Sequence, residues 1–123
     1  MNPEVGRESG QTRYAADGPW GGDGIQLTVG KEQSTIEYPC ADGEIPGRFR
    51  LARNGTFKLN GSHVRLRPGP VRPDRKELRE PASFEGKVTG ERMTLKVTLM
   101  NSREVVGEFR LRKGALARIR RCL

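Results

Sequence analysis

Residues 82–122 read ASFEGKVTGERMTLKVTLMNSREVVGEFRLRKGALARIRRC. Phe84 and Val88, then Met93, Leu95, Val97 and Leu99, then Val105, Phe109 and Leu111, and last Ala117 and Ile119 sit two or a multiple of two apart within each run. That is the period of a strand with one buried face, not of a helix. The intervening turns test the reading, because a hairpin loop must bring inward residues of both strands opposite one another. A two-residue turn at Gly90-Glu91 with glycine first pairs Val88 with Met93 and Phe84 with Val97. A five-residue loop, 100–104, pairs Leu99 with Val105 and Leu95 with Phe109. A three-residue loop around Gly114 pairs Leu111 with Ala117 and Phe109 with Ile119. The stretch is expected to be a four-stranded antiparallel meander.

Working back toward the N-terminus, the same period marks Ile25, Leu27 and Val29, then Ile36 and Tyr38, then Phe49 and Leu51, then Phe57 and Leu59. At 53–55 a three-residue loop with Gly55 in the left-handed conformation aligns Leu51 with Phe57 and Phe49 with Leu59, whereas a two-residue turn at Asn54-Gly55 mismatches the faces. Residues 62–66 are either a ninth short strand or a continuation of the fourth. Residues 67–80, RPGPVRPDRKELRE, carry three prolines and many charges and read as an excursion loop. Eight short antiparallel strands, each apolar on one face, avoid open edges by closing on themselves. The expected fold is therefore all-β, an eight-stranded up-and-down barrel of avidin- or lipocalin-like architecture, with a two-sheet sandwich as the alternative. Residues 1–19 lack apolar periodicity and read as a flexible arm; the domain is expected to span 20–123.

Composition bounds the function. The chain has 123 residues, enough for one domain, and no apolar run approaches the roughly 20 residues that a spanning helix needs. The N-terminal segment has no apolar core of a signal peptide, so the expected location is secreted or periplasmic if a signal has been removed and cytoplasmic otherwise. Residues 1–47 hold 3 basic and 8 acidic residues and residues 48–123 hold 20 and 7, so a net +8 conceals an acidic first third and a strongly basic remainder. Such a basic part attracts anionic partners or is neutralised by the chain's own acids.

Chemistry-bearing patterns are sparse. The single histidine, His63, reads as a surface or hydrogen-bonded residue rather than a catalytic base. No nucleophile elbow, phosphate loop or zinc-protease motif is present, so no enzyme activity, cofactor or metal site is expected. Glu37, Asp42 and Glu44 read as solvated strand-end and turn residues rather than a general acid and base. Cys40 and Cys122 form an even pair that could staple the chain end to the body, or remain two thiols. Cys40 has inward parity and Cys122 outward parity, so a bond between them requires Pro39 to end the strand before Cys40.

The outward positions include Arg48, Arg50, Lys58, Lys96, Arg110, Arg112, Arg118 and Arg120. The Gly114 hairpin would crowd Arg110, Arg112, Arg118 and Arg120 into one patch, the expected binding site for an anionic or protein partner. Glu104 and Glu108 are the intramolecular alternative. All four phenylalanines are inward, which argues against single-stranded nucleic acid as the partner.

The sequence also resembles a group of small bacterial proteins of uncharacterised activity, many with the look of exported proteins. The likeness rests on Trp20-Gly21-Gly22, Cys40 with Gly43 and Ile45, Gly55-Thr56-Phe57, Gly69-Pro70-Val71-Arg72, Phe84-Glu85-Gly86-Lys87-Val88, Met93-Thr94-Leu95 and the terminal Arg121-Cys122-Leu123, over residues 20–123. It implies an exported barrel-like domain with a disulfide and is mute about chemistry. The expectation is a non-enzymatic binding module, with a small-molecule carrier using the interior, or a protease-inhibitor-like protein using the 1–19 arm, as alternatives.

Overall fold

The computed structural model describes residues 13–65 and 79–119. Within them the chain forms ten strands and no helix: β1 (Arg13–Tyr14), β2 (Gly18–Gly22), β3 (Ile25–Val29), β4 (Gln33–Tyr38), β5 (Ala41–Pro46), β6 (Arg50–Leu51), β7 (Thr56–Arg65), β8 (Arg79–Thr89), β9 (Arg92–Leu99) and β10 (Val105–Lys113). Eight of these close into an antiparallel barrel in the order β10-β2-β3-β4-β5-β7-β8-β9, while β1 and β6 pair separately. Every barrel strand thus lies beside its sequence neighbours, and pairing of β10 with β2 removes both edges.

The expected register holds through the middle of the meander. Phe84 lies opposite Val97, Val88 opposite Met93 and Leu95 opposite Phe109. Gly90 has φ 61°, the left-handed first position that its two-residue turn requires. Gly55 has φ 88° in the three-residue turn closed by the Ala52 N–H donating to the Thr56 carbonyl at 2.8 Å. Ser62 and His63 belong to β7, which runs on from Phe57 without a second turn.

The inward residues fill the barrel. Trp20, Ile25, Leu27, Ile36, Ile45, Phe84, Met93, Leu95, Val97 and Leu99 are each at most 2% exposed. One end is plugged by the β1–β6 pair, which brings Ala15, Phe49 and Leu51 into the same core and sets Phe49 edge-on to Phe57, ring centroids 4.8 Å apart.

The strand inventory departs from expectation at both ends of the chain. The third expected strand, Phe49 and Leu51, is not in the barrel wall; it pairs with Arg13 and Tyr14 as the plug. The eighth, Ala117 and Ile119, is not a strand, and the hairpin expected around Gly114 does not form. Its place beside β10 is taken by β2, with Leu111 opposite Gly22, Arg112 opposite Gly21 and Lys113 opposite Trp20. After Gly114, at φ 82°, the chain instead crosses the outer face of β2 and β3. The Gln26 carboxamide holds it there: its Oε1 accepts from Ala117 N–H at 2.6 Å, and its Nε2 donates to the Ala115 carbonyl at 3.4 Å. A Cβ at Gly21 would lie 2.5 Å from that same carbonyl oxygen, so this strap needs glycine beneath it.

The strand β5 was not expected, and β2 falls in and beside the expected arm. Of residues 1–19, Arg13 and Tyr14 pair with the plug, Ala15 is buried and Gly18 and Pro19 are in the barrel wall; residues 1–12 lie outside the described residues. So do most of the excursion loop, 66–78, together with Arg120 and Cys122.

Candidate functional site

Two regions combine exposure with functional chemistry: the outer face of β7–β10 and the end of the barrel opposite the plug. The outer face is organised in rows across the strands. One row is Lys58, Glu85, Lys96 and Glu108, each directly opposite the next, so charge alternates across four strands. Such opposite-charge neighbours each contribute a few tenths of a kcal/mol, to about 1 at most.

Four residues further toward the plug the pattern breaks. Arg112 is directly opposite Arg92, and Arg110 projects on the same face between them and Glu108. All three are exposed, and among the described residues none lies within ion-pair distance of a carboxylate. An open recess beside them is lined by Arg50, Lys58, Glu85, Lys96, Glu108 and Arg110.

The expected basic patch is therefore corrected. Arg110 and Arg112 are on the outer face, as read from parity, but Arg118 is on the strap and Arg120 is outside the described residues. The partner that the register supplies is Arg92. It was available to sequence reasoning, since alignment of Leu95 with Phe109 also sets Arg92 against Arg112.

The other end of the barrel is a mouth formed where β4 turns into β5 and β9 into β10. Tyr38, Ala41, His63, Val106 and Phe109 line a recess of about 400 Å³, with Cys40 on its rim. Pro39 and Cys40 form the two-residue turn between Tyr38 and Ala41, so the pleat does end at Pro39 and Cys40 is exposed. Tyr38 is buried, as its place in one run with Ile36 implies, and so is Trp20, whose Nε1 donates to the Ala16 carbonyl at 3.0 Å. Glu37 and Asp42 face one another across the outer side of β4 and β5, and Glu44 lies 3.7 Å from Arg79.

His63 is neither a surface residue nor a fully bonded one. It is 3% exposed, and its Nδ1 is buried with no hydrogen-bond partner. Burial lowers its pKa from the ordinary value and Arg65 adds to that, against the opposing carboxylates of Glu80 and Glu104. A depressed folded-state value means that the unfolded chain takes up the proton first, so stability is lost as pH falls through about 6.5. Wild-type protein is expected to lose more stability than His63→Gln between pH 7.5 and 5, measured as urea midpoints. Equal losses would contradict the neutral buried imidazole.

Comparison of the chain with protein-family models, curated proteins and solved structures finds no match. The class that the coordinates define is an eight-stranded antiparallel closed barrel.

Proposed function

We propose that this protein is a non-enzymatic binding module that presents the corner of its outer face carrying Arg92, Arg110 and Arg112 to an anionic partner. The observation that carries the reading is the contrast between two rows four residues apart on one outer face. Where Lys58, Glu85, Lys96 and Glu108 alternate, the sheet neutralises itself; where Arg92 meets Arg112, it leaves a like-charge pair that costs stability. An external carboxylate, sulfate or phosphate gripped by guanidinium groups offsets that cost. The four phenylalanines, Trp20 and Tyr38 all pack inward, and Arg48 sits over the Tyr14 ring at 4.0 Å, which leaves no aromatic platform for bases on this corner. The partner is accordingly read as an acidic protein or acidic polysaccharide rather than single-stranded nucleic acid.

Heparin, a polysulfate, is a suitable probe. The triple variant Arg92→Ser, Arg110→Ser, Arg112→Ser is expected to elute from a heparin column at clearly lower salt than Lys31→Ser, Arg65→Ser, Arg103→Ser, which removes the same formal charge elsewhere. Equal elution of the two variants would show that net charge alone is responsible.

Export and a disulfide from Cys40 to Cys122 belong to the same reading. Gln26, where the strap is held, is opposite Glu37, three residues before Cys40. The five residues from Ala117 to Cys122 can extend about 16–18 Å, against roughly 10 Å along β4 and 5 Å sideways. The supporting result would be a non-reduced protein that takes up no thiol reagent until denatured with reductant. Free thiols in protein purified from an oxidising compartment would contradict it.

A further inference from the structure

The mouth of the barrel is built unlike the rest of the interior. Elsewhere inward side chains meet one another; here Tyr38, His63 and Phe109 form an aromatic wall around open space. The Tyr38 ring centroid is 5.7 Å from that of His63 and 5.7 Å from that of Phe109. Two local departures from regular strand shape this wall. A bulge between Val105 and Gly107 leaves Val105 46% exposed and brings Val106 to the recess. A Cβ at Gly107 would lie 2.7 Å from the Phe109 ring, so glycine is what lets that ring occupy its position.

The polar equipment is the buried His63 Nδ1 and the buried Tyr38 hydroxyl, with Arg65, Glu80 and Glu104 around them. Arg65, at the end of β7, reaches across to Glu104, just before β10, at 3.2 Å. Glu80 is directly opposite His63. With Arg65 engaged, the remaining rim charge is negative, which disfavours an anion. The space of about 400 Å³ matches a molecule of one or two rings. Unpartnered polar atoms inside a folded protein are uncommon and commonly mark a position filled by something else.

We propose that the mouth is a binding pocket for a small neutral aromatic molecule carrying one hydrogen-bond donor, whose ring lies against Tyr38 and Phe109 and whose donor reaches His63 Nδ1. A neutral imidazole supplies one N–H and one lone pair, and Nδ1 is then the acceptor. The donor distinguishes this ligand from a plain hydrocarbon, because desolvating Nδ1 without replacing its hydrogen bond is unfavourable. The site is independent of the arginine corner, and either can fail without the other.

The test is an NMR titration of the full chain at pH 7.5 with phenol and indole, alongside toluene, anisole and benzylammonium. Phenol and indole are expected to move the resonances of Tyr38, His63, Val106 and Phe109 saturably, with phenol binding about tenfold tighter than toluene, the worth of one hydrogen bond. His63→Phe should bring the phenol-to-toluene ratio close to one. Val106→Trp, which fills the recess from a partly exposed position, should abolish both responses while the dispersed spectrum of the fold is retained; it serves if His63→Phe does not fold. The proposal is overturned if no probe saturates, if the shifts map elsewhere, if toluene or anisole binds as tightly as phenol, or if benzylammonium binds more tightly.

Discussion

Phe84→Ala is expected to cost about 3–5 kcal/mol of folding free energy, which for a domain whose total is about 5–15 kcal/mol leaves little or nothing. Phe84 is fully buried, with Leu59 on one side and Val97 on the other. Across the interior its ring tip faces Gly43, where a Cβ would stand 3.5 Å from it. Glycine contributes no side chain that could swing into the space left behind, so the cavity persists and the loss falls toward the upper end of the range. Lys87→Ala, three residues along the same strand on the outer face, should change stability by less than about 0.5 kcal/mol. Urea unfolding of both variants checks the pair; similar midpoints would mean that β8 does not present alternate residues to a common interior.

Gly21→Leu is the second large effect, about 2–3 kcal/mol from steric conflict and lost hydrogen bonds. The side chain would strike the backbone of residues 115–117 rather than the core, and the strap would have to leave Gln26. Gln26→Ala removes the acceptor but adds no clash, so it should cost less, about 1–2 kcal/mol. Hydrogen exchange at the Ala117 amide provides a local readout: both variants should accelerate it. An unchanged rate in Gly21→Leu would show that the strap does not lie over β2.

These two positions also explain how much of the fold could be read beforehand. The registers of β7 to β10 were legible because their inward positions carry Phe, Leu, Met and Val, which have both a period and a size. The strands β2 and β5 present Gly, Trp, Ala and Ile at theirs, and a wall built around Gly21, Gly22, Ala41 and Gly43 leaves almost no apolar alternation to detect. Conversely, Phe49 with Leu51 and Ala117 with Ile119 alternate correctly without being wall strands. Period two reports that one side of a segment is covered, not which neighbour covers it. In the plug the cover is the barrel's own end; in the strap it is a carboxamide and a bare glycine.

The candidate sites divide in the same way. Arg110 and Arg112 were legible from parity within one strand, and Arg92 from the register between two. Arg118 was misplaced because its position depends on which partner β10 takes at its outer edge. The pocket at His63 could not be read at all, since Tyr38, His63 and Phe109 come from β4, β7 and β10, and only closure of the barrel brings those strands around one mouth.

Closure between β2 and β10 is thus the claim on which the mouth and the removal of Arg118 from the arginine corner depend, and long-range backbone NOEs in the full-length protein test it most directly. The expected cross-strand contacts join Leu111 to Gly22, Arg112 to Gly21 and Lys113 to Trp20. Absence of these contacts, with NOEs instead joining Leu111 to Ala117 and Phe109 to Ile119, would contradict the account and restore a terminal hairpin in place of the closed wall.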